Sequence, residues 1–103
     1  MKEDPTETGK RTEGGLYIGL MSGTSLDGID AALMEFTPGG KGRCVGTLEY
    51  EWDRDTAERL KALIEGRNRD FSEALLLHRL AGEGFAGAAL ALVSKMNLAP
   101  SDI

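Results

Sequence analysis

The sequence is poor in the residues that build disulfides, metal sites and active-site bases. Its 103 residues include one cysteine, Cys44, and one histidine, His78. A single cysteine cannot form an internal disulfide, and because no base is identifiable beside Cys44 we expect a small core residue and not a nucleophile. His78 has no second histidine or cysteine at ligand spacing, which favours a helix-surface or partly buried position over a metal or acid–base role.

Positive charge is also scarce. The chain carries 12 Lys and Arg against 17 Asp and Glu, a net charge of -5, and the basic residues are scattered. Because proteins bind phosphate backbones through clustered Lys and Arg, this composition argues against a nucleic-acid partner. The N-terminus lacks the apolar core of a secretory signal, and the longest apolar stretches are too short or too rich in glycine to span a bilayer. We therefore predict a cytoplasmic protein without a membrane partner.

The chain has the length of one small domain. Its hydrophobic content of 41% is compatible with a packed core. Residues 1–15 are polar and show no periodicity, so they cannot bury enough apolar surface to offset the entropy lost on ordering. We predict a disordered leader over residues 1–15 and a folded unit over residues 16–103.

Two strands are predicted within residues 16–36, which read LYIGLMSGTSLDGIDAALMEF. The first six of these residues form an apolar run with the composition of a buried strand. The pair Asp27-Gly28 favours a tight hairpin turn, and a second strand follows it directly up to Phe36. Both faces of that second strand are largely apolar, which predicts neighbours above and below it.

The segment between these strands has the chemistry of a phosphate loop. Residues 22–25, SGTS, offer hydroxyl and backbone N–H groups without a bulky side chain, which suits phosphate oxygens. Asp27 and Asp30 add carboxylates that can hold a magnesium ion directly or through water. Turn chemistry alone leaves a second interpretation open, in which the segment is a plain hairpin turn and its hydroxyls satisfy local backbone groups.

A third strand is predicted over residues 43–51, after a turn rich in glycine over residues 37–42. Because short turns join the three strands in chain order, they predict an antiparallel meander. Beyond the strand, Trp52 beside acidic residues indicates a strand end with amphipathic packing. Strand alternation places four residues on one face: Cys44, Gly46, Leu48 and Tyr50.

Helical spacing follows the strands. Residues 56–65 set leucines and an isoleucine on one face, which predicts a helix that Asp53 or Asp55 caps. Asp70, with Glu73 three positions later, resembles a capping box at the start of a longer helix that runs to about residue 97.

Three glycines interrupt the pattern of this longer helix: Gly82, Gly84 and Gly87. Each weakens a helix by about 1 kcal/mol relative to alanine, so their presence predicts a close approach to another backbone. A break of the helix at residues 82–84 is the alternative interpretation.

One segment resembles a known family. Residues 18–30, IGLMSGTSLDGID, are similar to the N-terminal signature of the anhydro-N-acetylmuramic acid kinases. The rest of the chain agrees more loosely, and residues 80–103 resemble the helix that precedes the fourth strand of that family. The resemblance implies an α/β fold of the actin, hexokinase and sugar-kinase type (ribonuclease H-like), here incomplete, with a three-stranded antiparallel meander followed by helices.

The same resemblance implies an activity and a site. These kinases hydrolyse the 1,6-anhydro ring of anhydro-N-acetylmuramic acid and phosphorylate the sugar at the 6-hydroxyl with ATP, in peptidoglycan recycling. Asp27 and Asp30 correspond to positions that help with Mg²⁺ or with loop geometry, whereas many superfamily relatives have an aspartate in place of Met21. The ATP-contacting segment corresponds to Gly23, Thr24, Ser25, Leu26, Asp27, Gly28, Ile29 and Asp30.

Members of this family are much longer than 103 residues. The resemblance therefore implies that residues 16–103 are the truncated N-terminal part of the first kinase domain, with the catalytic residues expected beyond Ile103. We expect this part to be inactive alone and to need the missing C-terminal portion, and the complete enzyme to form a homodimer. A non-catalytic phosphate-binding module and a module that pairs through its sheet edge remain alternative functions.

Overall fold

A computed structural model describes residues 14–103, so nearly all of the predicted leader lies outside the described residues. The described part contains three strands, two α-helices and a short 3₁₀ turn. These are β1 (Gly15–Met21), β2 (Ile29–Phe36), β3 (Gly42–Tyr50), α1 (Arg54–Ile64), α2 (Phe71–Lys95) and the 3₁₀ turn (Pro100–Asp102).

The strands form the predicted antiparallel meander, in the order β1-β2-β3. Met21 pairs with Asp30 across the first two strands, and Ile29 pairs with Tyr50 across the next two. The ends of β1 and β3 and the start of β2 therefore lie side by side. Any segment that links β1 to β2 emerges at this end of the sheet, next to the start of α1.

The core lies between one face of β2 and the helix α2. Ile29, Ala31 and Leu33 are at most 2% exposed, because alternate residues of a strand point to the same face. Leu77 and Leu92 of α2 are fully buried. On the opposite face of β2, Asp30 is exposed and its neighbours are half-buried, so the described residues cover only one of the two faces that the sequence predicted to be covered.

A bulge between β2 and β3 overturns the prediction for the cysteine. Leu33 pairs with Gly46, but the next residue, Met34, pairs with Cys44. Val45 is therefore the extra residue, and a one-residue shift moves the following side chains to the other face. Cys44 is exposed and is not a core residue.

The caps of both helices agree with the sequence in part. Asp53 caps α1, since its Oδ2 accepts from the N–H of Thr56 at 3.1 Å. Asp70 caps α2 by accepting from the N–H of Ser72 at 3.1 Å. In a complete capping box, the side chain of Glu73 would also accept from the backbone N–H of Asp70. Here the carboxylate of Glu73 is instead bound by an arginine of α1.

That arginine, Arg59, joins the two helices. Its Nε and Nη2 each donate to one carboxylate oxygen of Glu73 at 2.7 Å, a bidentate geometry. The hydrogen bonds from Arg59 hold the pKa of Glu73 below its ordinary value. The side chain of Glu73 is 16% exposed, whereas Glu83, which pairs with Arg79 on α2, is 59% exposed.

The Arg59–Glu73 pair predicts a loss of stability in acid. A carboxyl group whose folded pKa is lowered contributes stability above its ordinary pKa and loses it as the pH falls through the folded pKa. We expect Glu73→Gln to lower the melting temperature at neutral pH and to flatten its decline in acid. Melting temperatures measured across the acid range test this, with the more exposed Glu83→Gln as the matched control, which we expect to have little effect. Parallel pH profiles of Glu73→Gln and the unaltered chain would contradict the prediction.

Helix α2 is continuous through its glycines, which confirms the predicted long helix, and the alternative of a break at residues 82–84 is wrong. A Cβ atom at Gly84 would lie 2.7 Å from Cζ3 of Trp52, and one at Gly87 would lie 2.6 Å from the hydroxyl of Tyr50. These two glycines therefore admit aromatic side chains, and not another backbone as the sequence suggested. His78 lies exposed on the same helix.

By length and composition alone, α2 could cross a membrane, which differs from the expectation that every apolar stretch is too short or too rich in glycine. The core helix of a soluble domain can have the same composition. Here α2 packs on the sheet through Leu77, Ala88, Leu92 and Val93, all of which are buried.

Candidate phosphate-binding site

The candidate site is the loop of residues 22–28 between β1 and β2. Its turn lies earlier than the sequence predicted, because the N–H of Leu26 donates to the carbonyl of Gly23 at 3.1 Å. Asp27-Gly28 is therefore not the hairpin turn, and these two residues lead from the turn into β2. The loop is longer than a two-residue hairpin, and within it Leu26, with φ of 56°, adopts the left-handed conformation in place of a glycine.

Leu26 takes this conformation beside an apolar cavity. A leucine at positive φ costs roughly 1–2 kcal/mol relative to ordinary backbone. The residue is half-buried and lines a small cavity beneath the loop together with Trp52, Leu60, Ile64 and Phe85. Strain of this kind persists only where the surroundings enforce it, so helices α1 and α2 determine the shape of the loop.

The tip of the loop presents polar groups to solvent. Thr24 and Ser25 occupy the centre of the turn and are both exposed. The hydroxyl of Ser25 donates to Oδ2 of Asp27 at 3.1 Å. Within residues 14–103, the backbone N–H groups of Thr24 and Ser25 donate to no acceptor of the protein. Two backbone donors and the hydroxyl of Thr24 are thus available for the oxygens of an anion.

The two candidate magnesium ligands lie on either side of the start of β2. Asp27 and Asp30 are exposed, and Asp30 is directly opposite Glu49 of β3. Like charges in this position repel one another, and a bound cation relieves the repulsion. No group of three or more His, Cys, Asp or Glu side chains in the described part of the chain could hold a metal by itself. Carboxylate oxygens completed by phosphate oxygens nevertheless suit Mg²⁺, so the residues fit this ion as partial ligands.

The remaining predicted residues of the site support the loop from below. The side chain of Ile29 is fully buried, so it anchors the loop in the core and cannot reach a ligand. A Cβ atom at Gly28 would lie 3.1 Å from Oε2 of Glu49 and 3.3 Å from the carbonyl of Tyr50. Gly28 therefore allows β3 to pass close to the entry of β2.

One contact of the loop was missed by the sequence analysis. The indole Nε1 of Trp52 donates to Oγ of Ser22 at 3.0 Å. The two residues are 30 positions apart, and the sequence signal for Trp52 indicated only packing at a strand end. A tryptophan directly before a helix cap is the single feature that could have drawn attention to this position.

Comparisons with known proteins agree with the motif in this loop. A family model described as anhydro-N-acetylmuramic acid kinase matches residues 15–103. An anhydro-N-acetylmuramic acid kinase of Legionella pneumophila (strain Philadelphia 1) is 38% identical over 88 residues, which cover 85% of this chain and 23% of the relative. The kinase of Aliivibrio fischeri is 40% identical over 87 residues, which cover 84% of this chain and 23% of the relative.

A third relative, the anhydro-N-acetylmuramic acid kinase of Caldanaerobacter subterraneus subsp. tengcongensis, is 37% identical over 91 residues. All of these matches are to sugar kinases. The chain belongs to the anhydro-N-acetylmuramic acid kinase family. It spans less than a quarter of the length of the curated relatives it matches, since 23% of each is covered.

Proposed function

We propose that this chain is the ATP phosphate-binding portion of an anhydro-N-acetylmuramic acid kinase. The complete enzyme opens the 1,6-anhydro ring by hydrolysis and phosphorylates the 6-hydroxyl of the sugar, in peptidoglycan recycling in the cytoplasm. One observation carries the proposal: two backbone N–H groups that have no acceptor within residues 14–103 stand at the exposed tip of the loop between β1 and β2. Phosphoryl transfer depends on positioning and on charge stabilisation, which such a loop supplies.

Different residues of the loop bind the phosphates and the magnesium ion. The backbone of residues 23–25 and the hydroxyl of Thr24 bind the phosphates of ATP. Asp27 and Asp30 hold Mg²⁺ directly or through water, and the ion neutralises charge on the phosphates. Ser25 orients the carboxylate of Asp27 through their hydrogen bond. The residue that activates water for attack on the anhydro ring lies in the part of the family that this chain does not cover.

This chain also has a sheet edge and an apolar groove that the uncovered part of the family can fill. Within residues 14–103, β1 has a strand neighbour on one side only. Beside its free edge is an apolar groove lined by residues that include Leu16, Leu90, Val93 and Ile103. We propose that a fourth strand and the second domain of an actin- and hexokinase-like fold cover this edge, and that the complete enzyme is a homodimer.

A hybrid enzyme tests the proposal. Residues 15–103 replace the matching portion of the Legionella pneumophila kinase, and ADP release is measured with magnesium–ATP and 1,6-anhydro-N-acetylmuramic acid. We expect the hybrid to be active, while this chain alone and the remainder of the relative alone are inactive. A folded hybrid that releases no ADP and binds no nucleotide would contradict the proposed function.

The free edge of β1 favours one other function, an interaction module that pairs with a second chain by strand addition. That function predicts self-association that survives loss of Thr24 and Asp27. Sedimentation and the affinity for magnesium triphosphate, both measured on the unaltered chain and on Thr24→Ala/Asp27→Ala, distinguish the two functions, because phosphate binding is lost in the variant whereas edge pairing is not.

A further inference from the structure

Trp52, whose indole N–H donates a hydrogen bond to the phosphate loop, is held in place by β3, α1 and α2. Trp52 follows β3 and directly precedes Asp53, the residue that caps α1. Its ring packs edge-on against Phe85, with centroids 5.6 Å apart and planes at 82°. A Cβ atom at Gly84 would overlap the ring, so the indole lies directly on the backbone of α2. The indole N–H therefore has a position set by the framework of the fold and not by the loop.

The acceptor belongs to the loop and begins a chain of hydrogen bonds into the turn. Oγ of Ser22 accepts from Trp52 at 3.0 Å and donates to the carbonyl of Gly23 at 3.4 Å. The same carbonyl accepts from the N–H of Leu26 and closes the turn. Ser22 Oγ thus links Trp52 to the turn through one hydrogen bond of ordinary length and one long one. The orientation of the Gly23 peptide, and with it the N–H of Thr24, depends on this connection to Trp52.

We infer that Trp52 is a positioning residue for the phosphate loop, acting through Ser22 to hold the turn of residues 23–26 in its anion-binding shape. The inference rests on the proposed function of that loop. It also makes Trp52 a reporter, because it is the sole tryptophan of the chain and its indole N–H lies one side chain away from the loop. Occupation of the loop by phosphates alters the surroundings of Ser22 and hence the fluorescence of Trp52.

Affinity measurements on the full chain with magnesium triphosphate test the inference. This probe carries the phosphates of ATP without a base that absorbs light. We expect Trp52→Phe, which keeps an aromatic ring but removes the N–H, to weaken binding about fivefold by calorimetry. Ser22→Ala changes only the loop side of the contact, and we expect the same loss. The double variant should be no weaker than either single variant, because both changes remove one connection.

Two further readouts separate positioning from general stability. The triphosphate-induced change in Trp52 fluorescence should be lost in Ser22→Ala and restored in Ser22→Thr, which keeps a hydroxyl. Tyr50→Phe is the matched control, because Tyr50 also packs on α2, at Gly87, but does not line the cavity beneath the loop. We expect this control to alter the melting temperature without altering the affinity.

Three results would count against the inference. Unchanged affinity in Trp52→Phe and Ser22→Ala would overturn it while leaving the loop a phosphate site. Losses that multiply in the double variant would show two independent effects and would also overturn it. Failure of the unaltered chain to bind magnesium triphosphate would instead overturn the phosphate-binding role of the loop, and the inference would fall with it.

Discussion

Replacing Asp27 by asparagine in the hybrid enzyme should lower kcat by about a hundredfold, the scale of losing one group that stabilises charge in a transition state. Asparagine keeps the size of the side chain and an oxygen that can accept from Ser25, so the shape of the loop is retained. What is lost is the negative charge that we propose attracts Mg²⁺. The rate of ADP release at saturating magnesium–ATP measures the effect.

Two controls make the Asp27 result specific. Glu58→Gln removes one negative charge from an exposed position on α1, and we expect kcat within about twofold of the unaltered hybrid, as surface substitutions rarely matter. Higher magnesium concentrations should recover part of the activity of Asp27→Asn, since a weakened site fills at higher ion concentration. A kcat that falls equally in both variants would contradict a role for Asp27 in holding the metal.

Alanine at Gly84 should destabilise the fold by about 1–3 kcal/mol, the range for overpacking a filled site. The added Cβ would lie 2.7 Å from the ring of Trp52 and 3.5 Å from Cδ1 of Ile29, so the indole must move. Gly82 is the matched control on the same helix, because a Cβ there meets nothing within 4 Å. Alanine at Gly82 should stabilise the fold by up to about 1 kcal/mol through its higher helix propensity.

Urea denaturation of the two glycine variants measures these free energies of unfolding. Opposite signs are expected for two identical changes that lie two positions apart. Equal effects at Gly82 and Gly84 would show that helix propensity, and not contact with Trp52, decides the cost. A change in the position of loop residues 22–26 in Gly84→Ala, but not in Gly82→Ala, would further agree with the connection between Trp52 and the loop.

The fold could be predicted from the sequence where local patterns decide it. Strand alternation and short turns predicted the meander, and Asp70 and one of Asp53 or Asp55 were predicted to cap the two helices. The bulge at Val45 was not predictable, because one extra residue leaves the apolar pattern of β3 almost unchanged while it moves Cys44 to the other face. Helix α2 was predicted to continue through its glycines, but the sequence did not show that Gly84 admits the ring of Trp52 and not another backbone.

The candidate site was predicted in composition but not in shape. Residues 22–30 stood out through their hydroxyls, glycines and carboxylates, and the family comparison agrees with that motif. The position of the turn was wrong because Leu26 takes a conformation that its residue type disfavours, and only tertiary contacts enforce it. Trp52 was missed because the hydrogen bond to Ser22 joins distant parts of the chain, which no local pattern encodes.

An NMR titration of the chain with magnesium–ATP, followed through the backbone amide shifts, tests directly whether this loop binds phosphate. We expect the largest changes at Thr24 and Ser25, which saturate with a single dissociation constant. The glycine-rich turn of residues 37–42, at the other end of the same sheet, is the internal control and should not shift. Saturable binding that shifts other amides and leaves residues 22–28 unchanged would contradict the assignment of this loop as the phosphate site.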